Sequence, residues 1–318
     1  MKALVYDGKV KFDPRHPTPR RKDNEVLIRV LQAGICRTDL EITKGYSGFK
    51  GILGHEFVGV VEKSADPRFI GRRVVGEIVI SCGKCTFCLQ GTTSHCQDRS
   101  VLGIQGKNGV FAEFITLPKQ NLHIIPDALS NNHAVFVEPL AAAVQILEMA
   151  HIHPQRRVII LGDGTLGLLS AQVVSLTGAP VLAVGKHSGK LKILKQKGIR
   201  TCFTDEVRGE KADVVVECTG SPSGFTQAMS LVHPKGTIVL KSTCAEHPAV
   251  DLSPIVINEI TIVGSRCGPF QAALRLLATN TIDVLSLISR RFPLHQGLNA
   301  VQAVSDKETV KVLLEMGN

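Results

Sequence analysis

Four of the nine cysteines stand in "SCGKCTFCLQGTTSHC", residues 81–96, with the spacing C-x2-C-x2-C-x7-C. Cys82, Cys85, Cys88 and Cys96 on one tight segment can close a tetrahedron of thiolates around Zn²⁺, and an all-sulfur, four-coordinate site has no open position for substrate. Three cysteines at i, i+3 and i+6 are hard to bridge to one another and easy to wrap around a metal, so two disulfides or four unrelated thiols are the weaker readings. The expected role is structural, with Lys84 offsetting part of the negative charge. A second set carries mixed donors: Cys36 in "AGICRTDLE", His55 and Glu56 in "ILGHEFVGVVE", and Glu138 in "VFVEPLAAAV". One Cys, one His and one carboxylate leave a fourth position for water or substrate, as catalytic zinc requires. Taken singly, Cys36 also reads as a buried small apolar residue, His55 as a core histidine and Glu138 as a helix-start charge. Their coincidence with the four-cysteine segment favours the metal.

A third motif is built for an anion. In "VIILGDGTLGLLSAQVV", Gly162, Gly164 and Gly167 form G-x-G-x-x-G directly after an apolar run and before a helical pattern that takes in Thr165 and Leu166. Such glycines allow the tight turn, the approach of a pyrophosphate to the backbone and close helix–strand packing, and the helix N-terminus attracts the phosphates. An acidic residue is expected about 20 residues on, where it holds the adenosine ribose hydroxyls of NAD. Here that strand ends "PVLAVGKHSGK", so Gly185 takes the place, followed by Lys186, His187 and Lys190. A lost carboxylate and added cations suit a 2′-phosphate, which predicts a preference for NADP with NAD possible; a solvated basic turn without coenzyme contact is the alternative.

The elements that must position these groups fall into two rhythms. Residues 1 to about 130 give short β-type segments, "EVLIRVLQAGI", "GHEFVGVVEKS", "GRRVVGEIVI" and "GVFAEFITL", expected as a mostly antiparallel, partly closed sheet. From about 133 to 280, helices at 133–150, 165–177, 189–197 and 222–232 alternate with the strands "RVIILG", "PVLAVG", "DVVVECTG", "GTIVLK" and "ITIVGS". Single helices between strands describe a parallel, doubly wound sheet, so the fold class is α/β. Towards the end, "ISRRFPL" reads as a strand and "KETVKVLLEM" as a closing helix. Thr219 and Gly220 in "ECTG" and Ser265 in "VGSRCG" fall at ends of parallel strands, where such sheets bind ligands. Cys202, Cys218, Cys244 and Cys267 read as buried small residues.

Composition narrows the classes. At 318 residues and 44% hydrophobic, the chain can fill two cores. Its net charge of +9 is spread along the sequence with no arginine-rich tail and no aromatic platform, so an anionic coenzyme is favoured and nucleic acid is not expected. The longest apolar run, "HAVFVEPLAAAVQILEMA", is broken by Glu138, Gln145 and Glu148, so no membrane partner is expected. "MKALVYDGKV" has no secretory pattern, and nine cysteines are an odd number for a disulfide framework, so a cytoplasmic location is expected.

With these residues in order, from "CRTD", "GHE" and the four cysteines through "VEPLA" and the glycine loop to "ECTGSP" and "VGSRCG", the chain resembles the zinc-containing medium-chain dehydrogenases/reductases. This is the alcohol dehydrogenase superfamily, and the resemblance points to its polyol and threonine dehydrogenase-like branch. The resemblance spans essentially the whole chain. It implies a split catalytic domain of GroES-like β type, residues 1–137 and 283–318, with a Rossmann domain, residues 138–282, inserted, and an active site in the cleft. By the same resemblance Cys36, His55 and Glu138 bind the catalytic zinc, with Glu56 a ligand in some states or just outside. Arg37 matches a pyrophosphate contact, and Thr38 the hydroxyl that passes the substrate proton. Where many relatives have a His three residues later, this chain has Glu41, which leaves the proton's exit open. The implied function is hydride transfer between a secondary alcohol or polyol, or its carbonyl, and NAD(P), with two zinc ions per chain, in a homodimer or homotetramer. The competing readings are a pathway-specific dehydrogenase of a larger hydroxylated metabolite and a non-catalytic zinc protein that binds dinucleotide.

Overall fold

The computed structural model describes residues 1–243 and 250–317. Cys244 therefore lies outside the described residues. The chain divides into two units: Met1–Glu138 with Leu274–Thr281 and Ile288–Asn318, and Pro139–Ala273 with Ile282–Leu287.

The first unit is built on a sheet whose strands run in the order Leu122–Ile124, Arg73–Gly76, Glu56–Lys63, Glu25–Ile35, Lys311–Glu315 and Ile288–Pro293, with Phe114–Pro118 also on Glu25–Ile35. All pairs are antiparallel except the last two strands, which run parallel. In Glu25–Ile35, Val26, Ile28 and Val30 are buried in alternation, as a period of two places one face of a strand in the core. The expected antiparallel segments are all present.

The closing helix is not. "KETVKVLLEM" forms the strand Lys311–Glu315, paired with Glu25–Ile35 on one side and Ile288–Pro293 on the other. Val310, Leu313 and Leu314 fall at i, i+3 and i+4, which imitates a helix face. The strand has a partner on each edge, and Lys311 through Leu314 are all buried, so the alternation that marks a half-exposed strand is missing. The helix expected at 133–150 resolves into a short turn, Asn131–Ala134, and the helix Val137–Met149. Pro139 sits in the first turn of the latter, where its missing N–H costs nothing.

The second unit alternates as expected: β1 (Val158–Leu161), α1 (Thr165–Ser175), β2 (Val181–Gly185), α2 (Ser188–Lys195), β3 (Arg200–Phe203), β4 (Ala212–Glu217), α3 (Gly224–Leu231), β5 (Val232–Leu240) and β6 (Thr261–Gly264). The six strands are parallel in the order β3-β2-β1-β4-β5-β6, the doubly wound dinucleotide-binding arrangement. β1 and Val214–Val216 of β4 are buried, as strands covered on both faces must be. The order reverses beside β1, so the crevice forms where the glycine loop leaves that strand.

Candidate active site

The cysteine segment is pinched at its base by two short strands, Val79–Ile80 and Ser100–Leu102, which pair antiparallel. Between them the chain turns through Thr86–Leu89 and Thr93–His95 and brings the four sulfurs within 4.8 Å of one another. Cys85 and Cys88 Sγ are 3.5 Å apart, Cys85 and Cys96 3.9 Å, and Cys82 and Cys88 3.9 Å. Backbone N–H groups aim at the sulfurs. Those of Gln97 and Cys88 pull the Cys85 thiol down to about 6, and those of Lys84 and Cys85 lower Cys82. Cys96 accepts the Cys82 N–H at 3.2 Å, but burial and the thiols of Cys82 and Cys88 outweigh that bond and push it up to about 11. Thiols that crowd each other while backbone dipoles favour thiolate fit a cation at their centre, and the donor set is that of closed zinc sites.

The second cluster follows from strand register. Glu25–Ile35 and Glu56–Lys63 pair so that Gly34 faces Glu56, two residues before Cys36 and one after His55. A Cβ at Gly34 would overlap the Glu56 carboxylate, so the close approach demands glycine. Cys36 Sγ, a His55 ring nitrogen and a Glu56 carboxylate oxygen lie within 4.8 Å of one another. Asp39, 2% exposed, organises their backbone by accepting the Cys36 N–H at 2.8 Å and the Gly54 N–H at 3.1 Å. Its Oδ1 stands 3.4 Å from His55 Nδ1, close enough for attraction, although that nitrogen makes no well-aligned hydrogen bond. Burial disfavours an imidazolium at His55, but the Asp39 charge beside it and the neighbouring Cys36 raise its pKa well above the ordinary value. A buried ring with a carboxylate behind it and a thiol and a carboxylate in front fits a zinc ligand, whose orientation such an outer carboxylate fixes.

Glu56 itself is held from behind. Lys311 donates to its Oε1 at 2.8 Å and Oε2 at 2.6 Å, and to the Ile35 carbonyl at 3.3 Å, with both side chains sealed from solvent. Glu138 stands half-buried in the first turn of Val137–Met149 and is not a member of the 4.8 Å cluster. The structure thus gathers Cys36, His55 and Glu56 and leaves Glu138 outside that set. Burial disfavours the Lys311 ammonium, but the charges of Glu56, Cys36 and Glu138 keep its pKa raised. Thr38 Oγ1 lies 3.5 Å from Cys36 Sγ, Arg37 is exposed, and Glu41 pairs with Lys44 at 2.9 Å.

In the second unit the glycine loop joins β1 to α1. A Cβ on Gly167 would overlap the Gly162 carbonyl, which lets α1 start against the strand, while a Cβ on Gly164 would meet open space, the cradle a pyrophosphate needs. Thr165, Leu166 and Gly167 form the first turn of α1. After β4, the Thr219 N–H and hydroxyl both donate to Glu217 Oε1, at 2.7 and 2.5 Å, and the Gly220 N–H donates to Ser242 Oγ at 2.8 Å. Ser265 follows β6, and its hydroxyl accepts from Lys241 Nζ at 3.1 Å.

Past β2, Lys186 is exposed, His187 half-buried and Lys190 buried in α2. The sequence reading of this turn as purely cationic needs correction. Asp163, 8% exposed, reaches across from the glycine loop, and its Oδ2 accepts the Lys186 N–H at 2.7 Å, the His187 N–H at 2.8 Å and a bond with His187 Nδ1 at 2.9 Å. Asp163, Asp39, Glu217 and Lys311 were not singled out as site residues from the sequence. Asp39 in "CRTD", Glu217 in "ECTGSP" and Asp163 between two motif glycines each stand in a recognisable motif, whereas Lys311 carries no such signal.

Residues 22–127 match the family model described as alcohol dehydrogenase GroES-like domain, and residues 165–279 that described as zinc-binding dehydrogenase. The chain is 30% identical to an erythritol/L-threitol dehydrogenase of Mycolicibacterium smegmatis, with 99% of this chain and 97% of the relative covered. Among solved structures it is similar to a zinc-binding dehydrogenase of Sinorhizobium meliloti 1021 bound to NADP (TM-score 0.89, 28% identity, 99% and 98% covered). It is also similar to an alcohol dehydrogenase of Escherichia coli CFT073 complexed with NADH (TM-score 0.90, 26% identity, 99% of each chain covered).

Proposed function

The chain belongs to the zinc-containing medium-chain dehydrogenases/reductases of the alcohol dehydrogenase superfamily, and from that premise we propose that it oxidises a polyol or other secondary alcohol with NAD(P), or reduces the matching carbonyl. The observation that carries this reading is the cluster of half-buried Cys36 with buried His55 and Glu56, three different donor types gathered in the same chain as a dinucleotide-binding sheet. Those residues would hold a zinc ion, which when bound would supply Lewis-acid polarisation of the substrate oxygen, while a nicotinamide coenzyme on the parallel sheet would supply the hydride acceptor.

The protein's own residues do the rest. Cys36 and His55 are the constant ligands, and Asp39 orients the imidazole. The third donor would be a carboxylate: Glu56, which lies in the cluster but is paired with Lys311, or Glu138, which stands outside the cluster and would take the place while Lys311 keeps Glu56. Thr38 accepts the substrate hydroxyl proton and passes it outwards. Glu41, three residues on and so on the same helix face, is engaged by Lys44, and the proton therefore leaves from Thr38 to water. Cys82, Cys85, Cys88 and Cys96 hold a second, structural zinc. Residues 1–137 with 283–318 act as the catalytic domain and 138–282 as the coenzyme domain, in a cytoplasmic homodimer or homotetramer. No helix among the described residues is long and apolar enough to cross a membrane.

The NADP preference expected from Gly185, Lys186, His187 and Lys190 requires their donors to be free for a 2′-phosphate. Asp163 already takes three of them, so the choice between coenzymes turns on that carboxylate. The test of the activity is a zinc count by native mass spectrometry followed by a panel of four- to six-carbon polyols, simple secondary alcohols and bulky alcohols with both coenzymes. Two zinc ions and turnover of a polyol support the proposal. Cys36→Ser should lower kcat/KM by more than the roughly 100-fold that loss of an outer-shell partner costs. Full activity in that variant would remove Cys36 from the site.

A further inference from the structure

We propose that Asp163 is the coenzyme-selecting residue of this protein: it brings to the end of β2, from the neighbouring glycine loop, the carboxylate that Gly185 lacks, and it selects NAD(H) over NADP(H). The proposal rests on the reading of β1, α1 and β2 as the coenzyme site. In such a sheet the acidic residue ending the second strand accepts from the ribose 2′-hydroxyl. Position 185 has no side chain, yet the space beside it is not empty. A Cβ there would lie 2.6 Å from both Cβ and Oδ2 of Asp163, and 2.8 Å from its Cγ. One carboxylate fits beside this backbone, and it comes from position 163 or from position 185, but not from both.

The carboxylate is fixed in place. The Lys186 and His187 N–H groups and His187 Nδ1 all bond to Oδ2, at 2.7, 2.8 and 2.9 Å. A carboxylate offers about four acceptor positions over two oxygens. Oδ1 takes none of these three bonds and is suited to accept a ribose hydroxyl. The same bonds weigh against a 2′-phosphate. The two backbone donors at the start of α2 and the imidazole nitrogen, the groups that would hold it, are already committed to an anion, and a phosphate placed there would face that anion directly. Lys186 and Lys190 contribute positive charge to the turn, and Asp163 cancels part of it. This reverses the preference expected from the residues after β2 alone, because Asp163 lies 22 positions before Gly185 in the chain.

Isothermal titration calorimetry of the zinc-loaded protein with NADH and NADPH tests the proposal without relying on turnover. Wild type should bind NADH at least about tenfold more tightly than NADPH, the factor for one charge-assisted hydrogen bond. Asp163→Ala should move the ratio of the two dissociation constants towards NADPH by about tenfold or more. The double variant Asp163→Gly with Gly185→Asp, which removes the Asp163 Cβ that a side chain at 185 would meet and returns a carboxylate from the strand end, should restore the preference for NADH. The restoration guards against a change that reflects only a loosened turn. Equal weakening of both coenzymes in Asp163→Ala, without rescue in the double variant Asp163→Gly with Gly185→Asp, would reduce Asp163 to a loop-bracing role and overturn the proposal. A wild type that prefers NADPH, and loses that preference with Asp163, would also overturn it. Failure of the folded wild type to bind either coenzyme would instead overturn the reading of the site beneath it.

Discussion

Lys311 and Glu56 form an ion pair with side chains only 2% and 1% exposed, behind the proposed zinc ligands. Two charges so far from water are kept by each other and by the remaining hydrogen bonds, and removing one strands the other. Lys311→Ala should therefore cost about 3–5 kcal/mol in urea unfolding, and Lys311→Met combined with Glu56→Gln should recover most of it, because no unpaired charge remains. Zinc content measured beside stability separates packing from ligand placement: if Lys311 holds Glu56 back, Lys311→Met alone changes the metal affinity of a still-folded protein. A more exposed pair gives a pH prediction. Burial raises the pKa of Glu25, but Lys107 at 2.6 Å, with its hydrogen bond and its charge, outweighs this and leaves the carboxyl below its ordinary value. A depressed folded pKa contributes stability above the ordinary carboxylate pKa and loses it as pH falls through the folded value. Glu25→Gln should accordingly be less stable than wild type by about 1–2 kcal/mol at pH 7 and converge with it near pH 3 and below. A difference that persists at low pH would assign the effect to packing.

The four-cysteine segment has short elements and exposed neighbours such as Phe87 and Leu89, so its fold must come from the metal it is proposed to hold. Chelation should abolish amide protection across residues 82–98 while β1 and β4, buried at the centre of the parallel sheet, keep theirs in hydrogen–deuterium exchange. Uniform loss of protection would mean that the metal supports the whole fold, and no loss that the segment stands without it. This segment was legible because its spacing is local and its chemistry admits few alternatives. β1, β2 and β4 to β6 were legible for a related reason, being apolar runs separated by helices. β3, whose "RTCF" is short and only partly buried, was not. Lys311–Glu315 was misread because its defining partner, Glu25–Ile35, lies some 280 positions earlier, and a lysine between valines looks like a solvent-facing residue until the carboxylate it meets is known. The Asp163 bridge escaped the same way: each loop was legible alone, and their meeting was not.

At the scale of the whole molecule, the edge strand β6 pairs only with β5 among the described residues, so its outer backbone groups are a template for another strand. In the segment that leads into it, Leu252, Val256 and Ile257 are 63%, 77% and 77% exposed, and Ile262 on β6 itself is 36% exposed. A solitary chain would leave this apolar surface in water next to an open sheet edge, a combination that marks an interaction site. A second copy suits it well. An antiparallel pairing of β6 with the same strand of a partner is self-complementary about a two-fold axis, so each chain meets in the other the surface it exposes, and the pairing closes at two. The surplus of positive charge, +9 for the chain, disfavours stacking of copies without such specific apolar contact. Light scattering behind size exclusion should give twice or four times the chain mass. Val256→Asp with Ile257→Asp, and separately Ile262→Lys, should halve that mass, since both substitutions place charge on the paired surface while leaving the opposite edge at β3 untouched. Coenzyme binding retained in the smaller species would show that the site is built within one chain. An unchanged mass in both variants would move the assembly surface elsewhere on the molecule.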